Sequence, residues 1–75
     1  MGRLSGKVVR MLPDKQYGFI RPDGGKGDHF FHKDDTAGAW SDISIGSRVS
    51  FIVGESNKGP RAADISLIPI EEEGE

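Results

Sequence analysis

Two short aromatic runs, Lys15-Gln16-Tyr17-Gly18-Phe19-Ile20 and Asp28-His29-Phe30-Phe31-His32, begin thirteen residues apart and are joined across the glycine-rich stretch Gly24-Gly25-Lys26-Gly27. Successive side chains of a strand point to opposite faces. Tyr17 and Phe19 therefore share one face of the first run, and Phe30 and His32 share one face of the second. An antiparallel pairing sets these four rings side by side, with Lys15 and Lys33 at their margin. Exposed rings next to cations form a surface on which unpaired bases stack while their phosphates meet positive charge. A strand aromatic is more often core than platform. Here Ile20 and Phe31 already fill the inward phase of the two runs, and a closed sheet has a single interior, which leaves the ring cluster outside.

Other chemistries find less support. His29 and His32, with Asp28, Asp34 and Asp35 nearby, suggest a metal site. Spacing i, i+3 on a strand sends the two imidazoles to opposite faces, so no metal is expected. The Gly24 to Gly27 stretch lacks the Lys-Ser or Lys-Thr ending of a phosphate-binding P-loop and no helix follows it. It is expected to be a flexible hairpin tip. The chain has no cysteine, and its serines have no His and Asp partners at suggestive positions, so neither an enzyme nor a cofactor is expected.

Seventy-five residues form one domain, with a core limited by the roughly 60% of its surface that a chain of this size buries. The absence of cysteine fits a reducing cytoplasm. No apolar run reads as a signal-peptide core or reaches the roughly 20 residues of a membrane span, so a soluble cytoplasmic protein is expected. The formal charge of −2 divides unevenly along the chain. Four of the twelve acids, Glu71, Glu72, Glu73 and Glu75, stand in the last five residues, leaving ten Lys and Arg against eight Asp and Glu before them, or +2. Residues 71–75 are expected to form a disordered acidic tail to a domain spanning residues 1–70.

Glycine and proline punctuate the chain at intervals that suit short strands, and no window sustains a helical period. Five extended segments are expected near residues 3–12, 16–22, 28–33, 47–54 and 60–69, with one helical turn near Asp34 to Thr36. Pro22-Asp23-Gly24-Gly25 predicts a turn between the second and third strands. The fold class expected is all-β, a five-stranded antiparallel OB-fold barrel, because closure removes exposed sheet edges. Val8, Ile20, Phe31, Ile43, Val49, Phe51 and Ile65 are the expected core.

Gly6-Lys7-Val8, the two aromatic runs, Gly46-Ser47-Arg48-Val49-Ser50-Phe51 and Lys58-Gly59-Pro60-Arg61-Ala62 resemble, in order and with nearly its spacing, the cold-shock domain. The resemblance covers about residues 3–68. It implies a barrel that binds single-stranded RNA or DNA, often pyrimidine-rich, and acts as a nucleic-acid chaperone. It places stacking on Tyr17, Phe19, Phe30, His32 and Trp40, and polar or backbone contacts on Lys7, Lys15, Asp28 and Lys58, with Gly59 and Pro60 shaping the last loop. Arg10, Lys33 and Arg61 complete the cations expected to meet phosphates or base edges.

Three departures from the family matter. Val9-Arg10-Met11-Leu12 stands where it usually carries Lys-Trp-Phe-Asn, Lys33 stands where the second motif usually ends in Phe, and Gln16 replaces a glycine. Each stacked base is worth about 1–3 kcal/mol, so the lost rings imply weaker binding that leans more on salt-sensitive phosphate contacts. The competing readings are an OB-type protein-interaction module whose depleted aromatic face serves a polypeptide, and an S1-type RNA-binding barrel, which the Lys58-Gly59-Pro60 loop fits less well. A monomer is expected.

Overall fold

The computed structural model describes residues 3–25, 27–57 and 59–69. Five strands, β1 (Leu4–Leu12), β2 (Tyr17–Pro22), β3 (His29–His32), β4 (Arg48–Ser56) and β5 (Gly59–Leu67), close into a barrel in the order β1-β2-β3-β5-β4. The strand positions follow the sequence expectation closely. The pairs β1–β2, β2–β3, β1–β4 and β4–β5 are antiparallel, whereas β3 and β5 meet in parallel at Phe30 and Arg61. Three turns of 3-10 helix, Pro13–Lys15, Lys33–Thr36 and Trp40–Asp42, fill the connections. The second is the helical turn expected after β3. The other two have no periodic signal because each is only three residues long.

All seven expected core residues are buried, and Ala62 joins them. Met11, Ala39 and Trp40 are half-buried against this core. Phe31 lies over Gly18, where a Cβ would approach the Phe31 ring to 2.9 Å and the Arg10 carbonyl oxygen to 2.6 Å. Any larger residue at position 18 would push β2 away from the ring that fills the barrel.

Two irregularities set which side chains face outward. Between Val8, opposite Ile20, and Arg10, opposite Phe19, the register of β1 slips by one residue at Val9. Strict alternation would send Arg10 inward with Val8. The bulge returns it to the outer surface and turns Met11 toward the core. A second slip, between Ser50 and Ile52 on β4, sets two β5 residues against Phe51. One of them, Asp64, takes φ of 51°, and Arg3 holds it by donating to its carboxylate at 2.9 Å and to its backbone carbonyl, while also donating to Ser50.

Gln16, the residue in place of a family glycine, closes the first 3-10 turn with φ of 63° and ψ of 38°. That left-handed conformation costs a residue with a Cβ about 1–2 kcal/mol. The Gln16 carbonyl accepts a hydrogen bond from the Lys33 N–H at 2.9 Å that draws the turns after β1 and β3 together.

Candidate nucleic-acid interface

The β2–β3 register is the one the aromatic pattern predicts. Tyr17 lies opposite His32 and Phe19 opposite Phe30. The rings touch: Tyr17 and Phe30 have centroids 5.3 Å apart, Tyr17 and Phe19 5.9 Å, and Phe19 and Phe30 6.2 Å. Tyr17 and Phe19 are half-buried, while Phe30 keeps only 8% of its surface exposed beneath its neighbours. Two rings therefore form the accessible part of the cluster, and Phe30 supports them from below.

Extending the register across the barrel gives a row in which both ends are cationic. Arg10 on β1 faces Phe19 on β2, Phe19 faces Phe30 on β3, and Phe30 faces Arg61 on β5. The arginines differ in state. Arg10 is exposed and has no ion pair among the described residues. Arg61 donates through Nε and Nη2 to the two carboxylate oxygens of Asp35, at 3.0 and 3.1 Å. The Asp35 carboxylate raises the guanidinium pKa further above its already high value.

Asp35 also fixes His32. Its Oδ2 accepts the His32 backbone N–H at 2.9 Å, while Nδ1 of His32 accepts the Asp34 N–H at 3.0 Å, a reciprocal cap on the second 3-10 turn. With Nδ1 accepting, the neutral ring carries its proton on Nε2 and offers a donor there. His29, on the opposite phase, lies against Phe51 with centroids 5.9 Å apart, and its buried Nδ1 has no partner. The histidines thus occupy different faces, and no metal-binding cluster occurs among the described residues.

A second row runs across β2, β1 and β4, where Lys7 lies opposite both Arg21 and Arg48. Arg21 pairs with Asp28 at 3.0 Å, which shows what the Asp28 carboxylate contacts in the unbound chain. Arg48 pairs with Asp23 at 2.6 and 2.7 Å, and Asp23 also accepts from Ser5 at 2.8 Å. These bonds, first from Arg48 and then from Ser5, hold the Asp23 pKa down to about 2. A depressed carboxylate contributes stability above its unfolded pKa and loses it as pH falls through the folded one. Asp23→Asn is accordingly expected to lower stability near pH 6 by about 1 kcal/mol or less, solvent screening limiting an exposed pair. In denaturant titrations the gap from wild type should close between about pH 4 and pH 2. A gap that persists at the acid end would exclude this pair as its source.

Lys15 and Lys33 are exposed at the ends of the turns flanking Tyr17 and His32. Gly59 opens β5 with φ of 103°, a conformation suited to glycine, and Pro60 is exposed beside it. Lys58 and the acidic residues 71–75 lie outside the described residues. Trp40 is not gathered into the ring cluster. It stands in the third 3-10 turn with its ring edge-on to core residue Phe31, centroids 6.0 Å apart. Its loop is irregular, so alternation could not assign it a face. Arg21 was legible by the parity that selected Tyr17 and Phe19. Arg48, Asp23 and Asp35 carried no local signal, since their partners come from distant strands.

The family model described as the 'Cold-shock' DNA-binding domain matches residues 4–68. The chain belongs to the cold-shock domain family. A cold shock protein of Arthrobacter globiformis is 36% identical over 64 residues, which are 84% of this chain and 96% of that protein. Cold shock-like protein CspA of Vibrio cholerae is 34% identical over 67 residues, 88% of this chain and 96% of the relative. Among solved structures, drosophila Unr CSD456 superposes with a TM-score of 0.78 at 23% identity, over 92% of this chain, which spans 28% of that longer chain. At that identity the likeness concerns the fold. Cold-shock domains are nucleic-acid-binding, non-enzymatic domains. Among the described residues no helix is long and apolar enough to cross a membrane.

Proposed function

We propose that this protein is a monomeric cytoplasmic nucleic-acid chaperone that holds unpaired RNA or DNA by stacking bases on Tyr17 and Phe19. The observation that carries the reading is the accessible ring pair Tyr17 and Phe19 on β2, with the exposed Arg10 opposite Phe19 on β1. His32 borders the rings, and Lys7, Lys15 and Lys33 supply further charge for the backbone. Trp40, joined to the core through Phe31, adds a ring only to a strand that runs beyond the cluster. Pyrimidine-rich strands, the preference the family resemblance implies, stack on such a surface without a fixed hydrogen-bond code.

A ligand that prefers unpaired strands shifts a weak hairpin toward its open form by mass action, without ATP. A fluorophore and quencher hairpin titrated with the protein in the absence of nucleotide is expected to open saturably. Tight binding to single strands with no hairpin opening would remove the chaperone role and leave a simple binder.

Exposed Ile45 (65%), Val53 (47%) and Ile52 (41%) favour a second reading, a module that docks on a protein. A stoichiometric protein partner retained after nuclease treatment, together with no affinity for single strands, would replace the first reading with this one.

A further inference from the structure

Beside the ring cluster is a recess of about 270 Å³ lined by Phe30, His32, Ser56, Asn57 and Arg61. We infer that this recess reads a guanine in the bound strand, with Arg61 as the specificity-determining residue and Asp35 as the residue that positions it. The inference rests on the single-strand binding proposed above and adds a base preference at one position of that strand.

The Arg61 fork is only partly occupied. Asp35 occupies one side of the guanidinium, taking Nε–H and one Nη2–H. The end of the fork, with parallel N–H groups on Nη1 and Nη2, remains available, and among the described residues no acceptor binds Nη1. Two parallel donors at a fixed spacing match the O6 and N7 acceptors of guanine, the commonest arginine contact to a base. Adenine places an amino donor beside N7, uracil and thymine never place two acceptors side by side, and cytosine does so only through O2 and N3 of its Watson–Crick edge, a contact that the loss of N7 in 7-deazaguanine tells apart from guanine's.

Preorganisation distinguishes this arginine from an ordinary cationic side chain. Arg61 is anchored in β5 opposite Phe30, and the side chain of Asp35 is only 11% exposed. The same carboxylate oxygen that receives Arg61 Nε also receives the His32 backbone N–H. The fork is thus tied to the strand that carries the rings, and a base stacked there meets donors already in place. Less conformational freedom is lost on binding than with an unsupported side chain. His32, with Nδ1 committed to Asp34, adds an Nε2–H donor to the same wall.

Charge separates a base from a phosphate as the occupant. The carboxylate of Asp35 cancels the positive charge of Arg61 and repels an anion, yet leaves the remaining N–H groups free to donate. A neutral pair of acceptors suits such a donor better than a phosphodiester does. Arg10, by contrast, has no ion pair among the described residues and suits the backbone.

The test is fluorescence anisotropy with labelled thymidine heptamers carrying one guanine at each position in turn. The best register is then repeated with adenine, inosine or 7-deazaguanine in its place. At that register guanine is expected to bind at least about 10-fold more tightly than adenine. Inosine, which keeps O6 and N7, should retain most of the gain, and 7-deazaguanine, which lacks N7, should lose most of it. These arms use the unaltered protein. Arg61→Lys and Asp35→Asn should abolish the guanine preference. Equal binding of guanine and adenine heptamers at every register overturns the inference while single-strand binding stands. A salt slope shallower by about 0.7 in Arg61→Gln would assign the fork to a phosphate instead and overturn it in that way. No binding of any heptamer overturns both this inference and the function on which it rests.

Discussion

Replacing Tyr17 and Phe19 together by alanine is expected to weaken single-strand binding by at least about 30-fold while leaving the barrel folded. Each ring that stacks on a base is worth about 1–3 kcal/mol, so two give about 2–6 kcal/mol if they act separately. Their centroids are 5.9 Å apart, close enough for the two losses to couple, and the single variants are needed to measure that coupling. The pair is a cleaner test than Phe30. Phe30 is 92% covered, so its removal disturbs packing beneath the platform as well as the platform itself. Tyr17 and Phe19 lie on the outer surface away from the Phe31 core, so thermal unfolding should change little. Unaltered affinity in the double variant, with the fold intact, would show that bases stack elsewhere.

The largest expected effect on stability belongs to Phe31. Its ring is fully buried, rests on Gly18 and supports Trp40. Phe31→Ala removes that ring from a core that cannot collapse around the gap, because the strands on either side are fixed by their ladders. The expected loss is about 3–5 kcal/mol. Domains in general are stable by only about 5–15 kcal/mol, and a chain this small sits near the lower end. Phe31→Ala should therefore unfold at low denaturant or modest temperature, whereas Phe31→Leu should retain a cooperative transition. Trp40 reports on the change directly, since its ring contacts Phe31. A loss below about 1 kcal/mol would mean that this ring does not fill the barrel.

The contrast between these residues shows what a period of two can and cannot reveal. Val8, Ile20, Val49, Phe51 and Ile65 alternate with polar or less buried residues along their strands, and the barrel buries each of them; Phe31 is buried too, although its neighbour Phe30 is also covered. Tyr17, Phe19 and His32 fall on the other phase, and their pairing follows from the hairpin register. Arg10 shows the limit of that rule. Alternation counted from Val8 sends it into the core, and only the bulge at Val9 places it beside Phe19.

The remainder of the site depends on contacts between residues far apart in sequence. Arg61 meets Phe30 where β3 and β5 run in parallel at the closing seam, and Asp35 reaches Arg61 across 26 positions. Neither partner has a local signature. Arg48 and Asp23 likewise join across β1, 25 positions apart. In the sequence both aspartates belong to polar turn segments, and only the closed barrel gives each an arginine.

The central claim is that this cold-shock domain holds unpaired nucleic acid through rings and cations on one face. The most direct measurement is the anisotropy of a labelled pyrimidine-rich single strand, compared with the same strand in a duplex, across a series of salt concentrations. Saturable binding that favours the unpaired strand is expected, with log affinity falling against log salt by about 0.7 for each phosphate contact. Equal affinity for the duplex, or a slope near zero, would contradict the claim.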